Sequence, residues 1–258
     1  MDKLFASGDL TLAGHLARPR TATGTKAPTV VISHGFPSMQ RGSKRSGLTF
    51  PELADRIANE MGWHALAFNF RGCGGSDGDF SLGGWLADLL AAAAFARSQP
   101  DVQGVWLLGF GTGGALSICA AARDPLVHGV VASGAPADFD DWGSHPRRLL
   151  QHARDLGLVR TPGFPPSVDA WARELRSLRT VDQVSLVAPR PLLVLHGAED
   201  DVVPVFDARV LADAHGQADL RIIDGGGHQL RHDPRAVAVI LGWLDRQRAA
   251  ARPPAPAI

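Results

Sequence analysis

Short runs of consecutive apolar residues recur along the chain and alternate with segments whose apolar positions follow helical spacing. A short continuous apolar run is typical of a strand that is buried on both faces of a parallel sheet. Predicted strands cover residues 28–33, 64–68, 105–108, 130–132, 191–195 and 220–223. Predicted helices cover residues 51–61, 85–97, 112–123, 206–215 and 236–248. The alternation predicts an α/β fold, a mostly parallel twisted sheet with helices on both faces.

Two segments depart from this alternation. Residues 4–18 alternate between apolar and polar side chains around a turn at 7–9, which predicts an antiparallel hairpin. The hairpin brings the predicted sheet to about eight strands. Residues 136–186 are polar and predict two short helices around the proline-rich segment 161–166. We interpret this stretch as a small helical lid inserted between two strands.

The composition is that of an ordinary globular protein, with 45% hydrophobic and 20% charged residues among 258. A chain of this length fits one domain, which we predict to span residues 1–248. Residues 249–258 are rich in Ala and Pro and have little to bury, which predicts a disordered tail. Cys73 and Cys119 form no CxxC pair, so buried thiols in a reducing compartment are expected.

The charge balance excludes several classes of partner. Lys plus Arg equal Asp plus Glu at 26 each, so no basic surface is expected for nucleic acid or an anionic membrane. The longest apolar stretch, residues 89–96, falls short of the roughly 20 residues of a membrane span. The first residues lack the apolar core of a signal peptide, and we predict a cytoplasmic protein. No His, Cys, Asp or Glu cluster has metal-ligand spacing, so neither a metal nor another cofactor is predicted.

The chemistry of the chain is concentrated in polar and glycine-rich loops that directly follow predicted strands. Because the carboxyl ends of parallel strands meet at one edge of a sheet, where ligands bind in such folds, these loops are expected to converge. They read His-Gly-Phe-Pro at 34–37, Arg-Gly-Cys-Gly-Gly-Ser-Asp-Gly at 71–78, Gly-Phe-Gly-Thr-Gly-Gly at 109–114, His-Gly-Ala-Glu-Asp-Asp at 196–201 and Gly-Gly-Gly-His at 225–228.

Together these loops resemble those of the α/β-hydrolase superfamily, in particular its small esterase, dienelactone-hydrolase and serine-peptidase-like branches. The resemblance covers nearly the whole chain, in the family's order of nucleophile, acid and histidine, and implies the α/β-hydrolase fold. It also implies that Asp200 is the triad acid and His228 the general base that the carboxylate orients. Glu199 and Asp201 are alternative acids, but the spacing to the following Val-Pro pair favours Asp200. His232 is interpreted as a surface residue.

The resemblance further implies an oxyanion hole, in which two backbone N–H groups bind the negative charge that develops during acyl transfer. The N–H of Phe36 matches the first donor, and His34 and Gly35 support its loop. The N–H of Thr112 matches the second donor at the start of a helix, where the helix dipole favours negative charge.

The chain departs from the family pattern at the nucleophile. The pattern Gly-x-Ser-x-Gly appears as Gly-Phe-Gly-Thr-Gly at 109–113, so Gly111 occupies the position of the serine. Glycine adopts the strained backbone angles of this turn without a Cβ penalty, but it supplies no attacking oxygen. Ser76 lies in a second Gly-x-Ser-x-Gly stretch, yet no helix follows it, so we interpret it as a turn residue. Thr112 and Ser117 are interpreted as helix-packing residues.

We therefore predict a pseudoenzyme that binds a small, partly apolar molecule and in which conventional ester or acyl hydrolysis is absent or weak. The alternative is a non-covalent enzyme of hydrolase, lyase or cofactor-free oxygenase type, in which the Asp200–His228 dyad acts as general base. An inactivated variant of an ordinary esterase and a purely structural protein are further interpretations. The lid aromatics Trp142 and Trp171 favour an apolar ligand, while the oligomeric state stays open.

Overall fold

A central sheet of eight strands organises the structure, a computed structural model that describes residues 2–20, 26–38, 42–45 and 47–250, the last without its side chain. The strands are β1 (Asp2–Ser7), β2 (Leu10–Ala17), β3 (Ala27–Ser33), β4 (His64–Phe68), β5 (Val102–Phe110), β6 (Val127–Ser133), β7 (Leu192–Gly197) and β8 (Asp219–Ile223). Their order across the sheet is β1-β2-β4-β3-β5-β6-β7-β8. β1 pairs antiparallel with β2, and β2 with β4, while all later neighbours are parallel. The predicted mostly parallel sheet with an initial hairpin is thereby confirmed.

Helices cover both faces of the sheet and divide the core into two layers. They are α1 (Phe50–Met61), α2 (Leu82–Arg97), α3 (Thr112–Arg123), α4 (Asp140–Ser144), α5 (Pro146–Asp155), α6 (Val168–Ser177), α7 (Thr180–Val184), α8 (Val205–His215) and α9 (Pro234–Ala250). On one face, α1 and α9 bury Ile57 and Trp243 against the sheet. On the other face, α2, α3 and α8 bury Trp85, Leu116 and Leu211. Strands covered on both faces have no polar side, which explains their continuous apolar sequences.

Three of the parallel strands, β5, β6 and β7, extend beyond their predicted ends towards the carboxyl edge of the sheet. β5 runs two residues past the predicted strand because Phe110 still pairs with Ser133 of β6. β7 likewise continues to Gly197, which lies opposite Ile223 of β8. The polar loops therefore begin directly at the edge of the sheet, with no intervening irregular segment.

The lid segment, residues 136–186, contains more helices than predicted. It forms four short helices, α4 to α7, and not two. Pro146 separates α4 from α5 because proline lacks the N–H that a continuous helix would use, and it is accepted at the first helical turn. Trp171 of α6 packs edge-on against Phe80, with ring centroids 6.0 Å apart, and Phe139 is buried as well. These lid aromatics pack on the body of the protein.

Three smaller expectations concern the tail, the cysteines and membrane spans. α9 continues to Ala250, two residues into the predicted tail, and the rest of that tail, residues 251–258, lies outside the described residues. Cys73 and Cys119 are both buried, as predicted, and burial raises the pKa of the Cys119 thiol to about 12. Within the described ranges, no helix has both the length and the apolar character needed to cross a bilayer.

Gly109 is expected to tolerate no side chain, because a Cβ there would overlap the carbonyl oxygen of Gly113 in the first turn of α3. The replacement Gly109→Ala is expected to lower the free energy of unfolding by about 1–3 kcal/mol, the usual cost of overpacking. The matched replacement Gly242→Ala, at an exposed site in α9, is expected to raise it by about 0.5–1 kcal/mol. Urea unfolding measures both, and a Gly109→Ala protein as stable as the wild type would contradict the packing described here.

Candidate active site

A tight strand–helix junction carries Gly111 at the carboxyl edge of the sheet. β5 ends at Phe110 and α3 begins at Thr112, so Gly111 alone makes the turn. Its φ of 54° and ψ of −124° lie in a region that residues with side chains rarely adopt. Its N–H donates to the Ser133 carbonyl of β6 at 2.8 Å, which holds the turn onto the sheet.

Two further glycines allow the junction to close. A Cβ on Gly113 would lie 2.5 Å from the carbonyl oxygen of His34, and one on Gly35 would lie 2.9 Å from that of Phe110. Side chains do not tolerate such distances, so glycine is what allows α3, β5 and the loop after β3 to meet. The first backbone N–H groups of α3, which have no partner within the helix, therefore lie at the site.

Asp200 and His228 come from the loops after β7 and β8 and form a hydrogen-bonded pair. The Nδ1 atom of His228 lies 2.9 Å from Oδ2 of Asp200. Because an ionised carboxylate only accepts hydrogen bonds, Nδ1 is the protonated donor and Nε2 is left as an acceptor. That Nε2 atom faces the junction, since it lies 3.4 Å from the point where a Cβ on Gly111 would stand.

The Asp200 carboxylate is buried and is held from four directions. Its side chain has no exposed surface, and its Oδ1 accepts the N–H groups of Val202 and Val203 at 2.9 and 2.8 Å. In addition to His228, Nε2 of the fully buried His196 lies 3.3 Å from Oδ2. Burial by itself would raise the pKa of Asp200, but the hydrogen bonds from both histidines and the two backbone groups hold that pKa well below its ordinary value. The carboxylate is therefore ionised at neutral pH.

Neighbouring candidates for the acid and the base stay outside this pair. Glu199 and Asp201, which flank Asp200, are exposed. His232, four residues after His228, is exposed as well. Among the residues that the structure describes, no group of three or more His, Cys, Asp or Glu side chains is placed to hold a metal ion.

The serine candidates take part in structural hydrogen bonds. The Ser76 hydroxyl donates to the Asn69 carbonyl at 2.7 Å and accepts the Ala13 N–H at 2.9 Å, which ties the loop after β4 to β2. Ser117 is buried in α3, where its hydroxyl donates to the Gly113 carbonyl at 2.7 Å. Both hydroxyls are thus engaged in holding the backbone.

His34 fastens the loop that follows β3. Its Nδ1 donates to the Gly35 carbonyl at 2.8 Å and its Nε2 accepts the Phe70 N–H at 3.3 Å, so both nitrogens are engaged by a neutral ring. Burial is the larger effect on this imidazole and lowers the pKa of His34 to about 4. The ring also packs edge-on against Phe70 and Trp85, with centroids 5.0 and 5.5 Å away. These contacts fix the loop beside Gly111.

A cavity of about 110 Å³ opens where these loops meet. Aromatic rings form much of its wall, since Phe36, Phe50 and Phe110 lie around Gly111. Its other described lining residues are His34, Gly35, Pro37, Ser38, His228, Gln229, Leu230 and Arg231. The Phe36 ring packs edge-on against Trp142 of the lid segment at 4.9 Å. The lid segment thus packs against Phe36. The described lining residues come from the strand-end loops and the start of α1.

Comparison with known proteins places the chain in a family. A family model described as the alpha/beta hydrolase fold matches residues 28–156, half of the chain. The chain belongs to the α/β-hydrolase family, as its motifs imply. The matched range includes the loop after β3 and the junction at Gly111, whereas Asp200 and His228 lie beyond it.

Two curated relatives are similar at low identity. The human palmitoyl-protein thioesterase ABHD10, mitochondrial, is 23% identical over 209 residues, which cover 77% of this chain and 65% of that protein. The esterase LipC of Mycobacterium tuberculosis is 27% identical over 193 residues, which cover 64% of this chain and 47% of that protein. The chain thus spans less than two thirds of the length of either relative.

Solved structures share the fold across nearly the whole chain. The alpha/beta hydrolase GrgF from Penicillium sp. sh18 superposes with a TM-score of 0.75 at 23% identity, covering 96% of this chain and 99% of that chain. Est1E from Butyrivibrio proteoclasticus, in a structure with bound ferulic acid, has a TM-score of 0.74 at 21% identity and the same coverage. At these identities the likeness establishes the fold.

The structure brings two further residues to the site, His196 and Arg231, that are not among the site residues predicted from the sequence. His196 opens the loop that carries Asp200 and precedes it by four residues, so the loop motif itself contained the signal. Arg231 follows His228 by three residues, and the short 3₁₀ helix Leu230–His232 brings it to the cavity. A single arginine in a polar loop carries no local signal of this kind.

The neutral state of His34 is expected to make the protein less stable in acid. The ordinary pKa of histidine is 6.5, whereas that of His34 in the folded protein is about 4. Between these values the unfolded chain binds more protons than the folded one, so stability decreases as the pH falls from 6.5 towards 4. The full contribution is about 3 kcal/mol.

The replacement His34→Gln tests this assignment. Because glutamine takes up no proton in this range, the variant is expected to be less stable at pH 7 but to lose less stability on acidification. Urea unfolding at pH 7, 6 and 5 measures the slope for both proteins. If the variant shows as steep a slope as the wild type, His34 is not the group responsible.

Proposed function

We propose that this chain is a small-molecule-binding member of the α/β-hydrolase family in which conventional ester or acyl hydrolysis is absent or weak. One observation carries the proposal. At the strand–helix junction where the family pattern has serine, the base His228 faces the backbone of Gly111 instead of a hydroxyl group. A Cβ on Gly111 would stand 3.4 Å from Nε2 of His228, which is the position from which a serine oxygen would reach that atom.

Without a nucleophile, the route through an acyl-enzyme is closed. Loss of the serine in a serine protease costs on the order of 10⁶ in kcat, while the oxyanion hole and binding retain roughly 10³-fold catalysis over water. The proposed oxyanion donors, the N–H groups of Phe36 and Thr112, belong to backbone that flanks Gly111. Their retention supports a pocket that binds an acyl group and releases it unchanged.

The class of ligand is inferred from the cavity wall and from the relatives. The rings of Phe36, Phe50 and Phe110 favour a partly apolar group, which is typical of small-molecule sites. The curated relatives described above are named as a thioesterase and an esterase, which supports an ester or thioester as the compound that carries the acyl group.

Replacement of Gly111 by serine is expected to produce hydrolysis. The serine Cβ would meet Nε2 of His228 at 3.4 Å, an ordinary contact distance, and the positive φ would cost about 1–3 kcal/mol of stability. With p-nitrophenyl acetate and butyrate, Gly111→Ser is expected to exceed the wild type by about 10²-fold or more. The double variant Gly111→Ser/His228→Ala is expected to lose that gain.

The matched control is Gly111→Ala, which carries the same backbone strain without the hydroxyl and is expected to stay at the wild-type level. Conventional hydrolysis by the wild type, with an acylated protein detected by mass spectrometry, would refute the proposal. A folded but inactive Gly111→Ser protein would contradict the proposed acyl-binding pocket, because the rest of the machinery would then not support acyl transfer.

A second function, general-base catalysis without an acyl-enzyme, is favoured by the intact Asp200–His228 pair. A water molecule in the cavity would give a proton to Nε2 of His228 while its oxygen attacks the acyl carbonyl. Asp200 would stabilise the imidazolium that forms, and the imidazolium would then give its proton to the leaving alcohol or thiol as the acyl C–O or C–S bond breaks. The same base would serve a lyase or cofactor-free oxygenase by taking a proton from the substrate.

This second function predicts slow hydrolysis by the wild type with no covalent intermediate. His228→Ala is expected to lower the rate by about 10²–10⁴-fold, the usual contribution of a general base. Asp200→Asn is expected to act in the same direction, because an amide favours the wrong tautomer of His228. Equal rates of hydrolysis by the wild type and by His228→Ala would exclude general-base catalysis by His228.

A further inference from the structure

We propose that the cavity at Gly111 binds a ligand with a negatively charged group and that Arg231 recognises this group. Arg231 lies in the 3₁₀ helix Leu230–His232 and lines the same cavity as Gly111 and His228. The inference rests on the proposed function, the binding of an acyl compound, and adds the charge of that compound.

Arg231 is the one permanently charged side chain among the described residues that line the cavity. It forms no ion pair with any carboxylate in the described part of the chain. Asp233, the nearest acid along the chain, is instead bound by Arg235, with 2.6 Å between Nη2 and Oδ2. The positive charge of Arg231 is therefore left for a ligand.

Contacts within the site hold the Arg231 guanidinium in place. Its central carbon lies 4.8 Å from the centre of the Phe50 ring, a cation–π contact. Its Nε donates to Nε2 of His232 at 3.0 Å. Its Nη groups form no hydrogen bond with another described residue. A stacked guanidinium with free Nη donors is well suited to bind a carboxylate through charge-assisted hydrogen bonds.

The other groups at the cavity favour a bound anion. α3 begins at Thr112, directly after Gly111, and the N-terminus of a helix carries a partial positive charge. The carboxylate behind the cavity, that of Asp200, has no exposed surface and is bound by His196 and His228. Its negative charge is therefore shielded from the ligand.

The shared cavity favours a short acyl group. Arg231 and Gly111 line the same cavity of about 110 Å³, so the anionic group and the acyl carbonyl of the ligand are expected to be separated by few bonds. These constraints together assign the ligand to short-chain acyl compounds that carry a carboxylate, such as half-esters of dicarboxylic acids.

The test measures binding to the wild-type chain and needs no turnover. NMR titrations compare monomethyl glutarate with dimethyl glutarate, which has nearly the same shape but no charge. The wild type is expected to bind the monoester about tenfold more tightly, as one charge-assisted hydrogen bond provides. This preference is expected to decrease as salt is added, because salt screens the charge.

Arg231→Met is expected to weaken binding of the monoester about tenfold and to leave binding of the dimethyl ester unchanged. A merely structural role of Arg231 would weaken both. Arg231→Lys is expected to retain part of the preference, because lysine keeps the charge but not the forked donors. Arg209→Met, at an exposed arginine of α8 that does not line the cavity, is the matched control and is expected to bind both compounds as the wild type does.

Equal affinity of the wild type for the two esters would overturn the inference, as would a preference that persists in Arg231→Met. Failure of the wild type to bind either ester would overturn both this inference and the proposed acyl binding. Failure of Gly111→Ser to hydrolyse esters would instead count against the retained acyl-transfer machinery, while the binding data alone would decide the charge preference, because it is measured without catalysis.

Discussion

The close approach of α3 to the ends of β3 and β5 is the contact on which the rest of the site depends. At Gly113 and Gly35 the backbones of neighbouring elements come so near that a Cβ would lie 2.5 and 2.9 Å from a carbonyl oxygen. This contact lets the loop after β3, the first turn of α3 and the loop of His228 meet around one small cavity. Any larger residue at these positions would separate the elements, so glycine packing sets the geometry in which the polar residues act.

Within that geometry, the buried carboxylate of Asp200 is costly to maintain. An ionised side chain without exposed surface destabilises the fold unless its oxygens are bound by donors. Here Val202 and Val203 bind one oxygen, while His196 and His228 contact the other. The arrangement fixes the proton of His228 on Nδ1 and directs Nε2 towards the cavity. An imidazole nitrogen that can accept a proton thus faces a glycine, and both proposed functions follow from that juxtaposition.

Local sequence patterns determine much of this protein. The strand His64–Phe68 is predictable to its ends, because a strand covered on both faces by helices consists of apolar residues alone. The helix Thr112–Arg123 is equally predictable, since it starts after a glycine-rich turn. Asp200 and His228 are predictable as neighbours because each follows a strand of one parallel sheet, and such strands end at a common edge. The sequence alone shows that position 111 carries no nucleophilic oxygen, because glycine has no side chain.

Other features were decided by the tertiary structure alone. The lid segment folds into four short helices whose Trp171 packs on Phe80, and the cavity lining comes from other elements. Arg231 gains its position from Phe50, which lies far from it along the chain. His196 reaches the same carboxylate oxygen as His228. Local sequence patterns indicate which side chains favour burial. The partner of each side chain depends on how elements that are distant along the chain pack together, and only the tertiary structure specifies this packing.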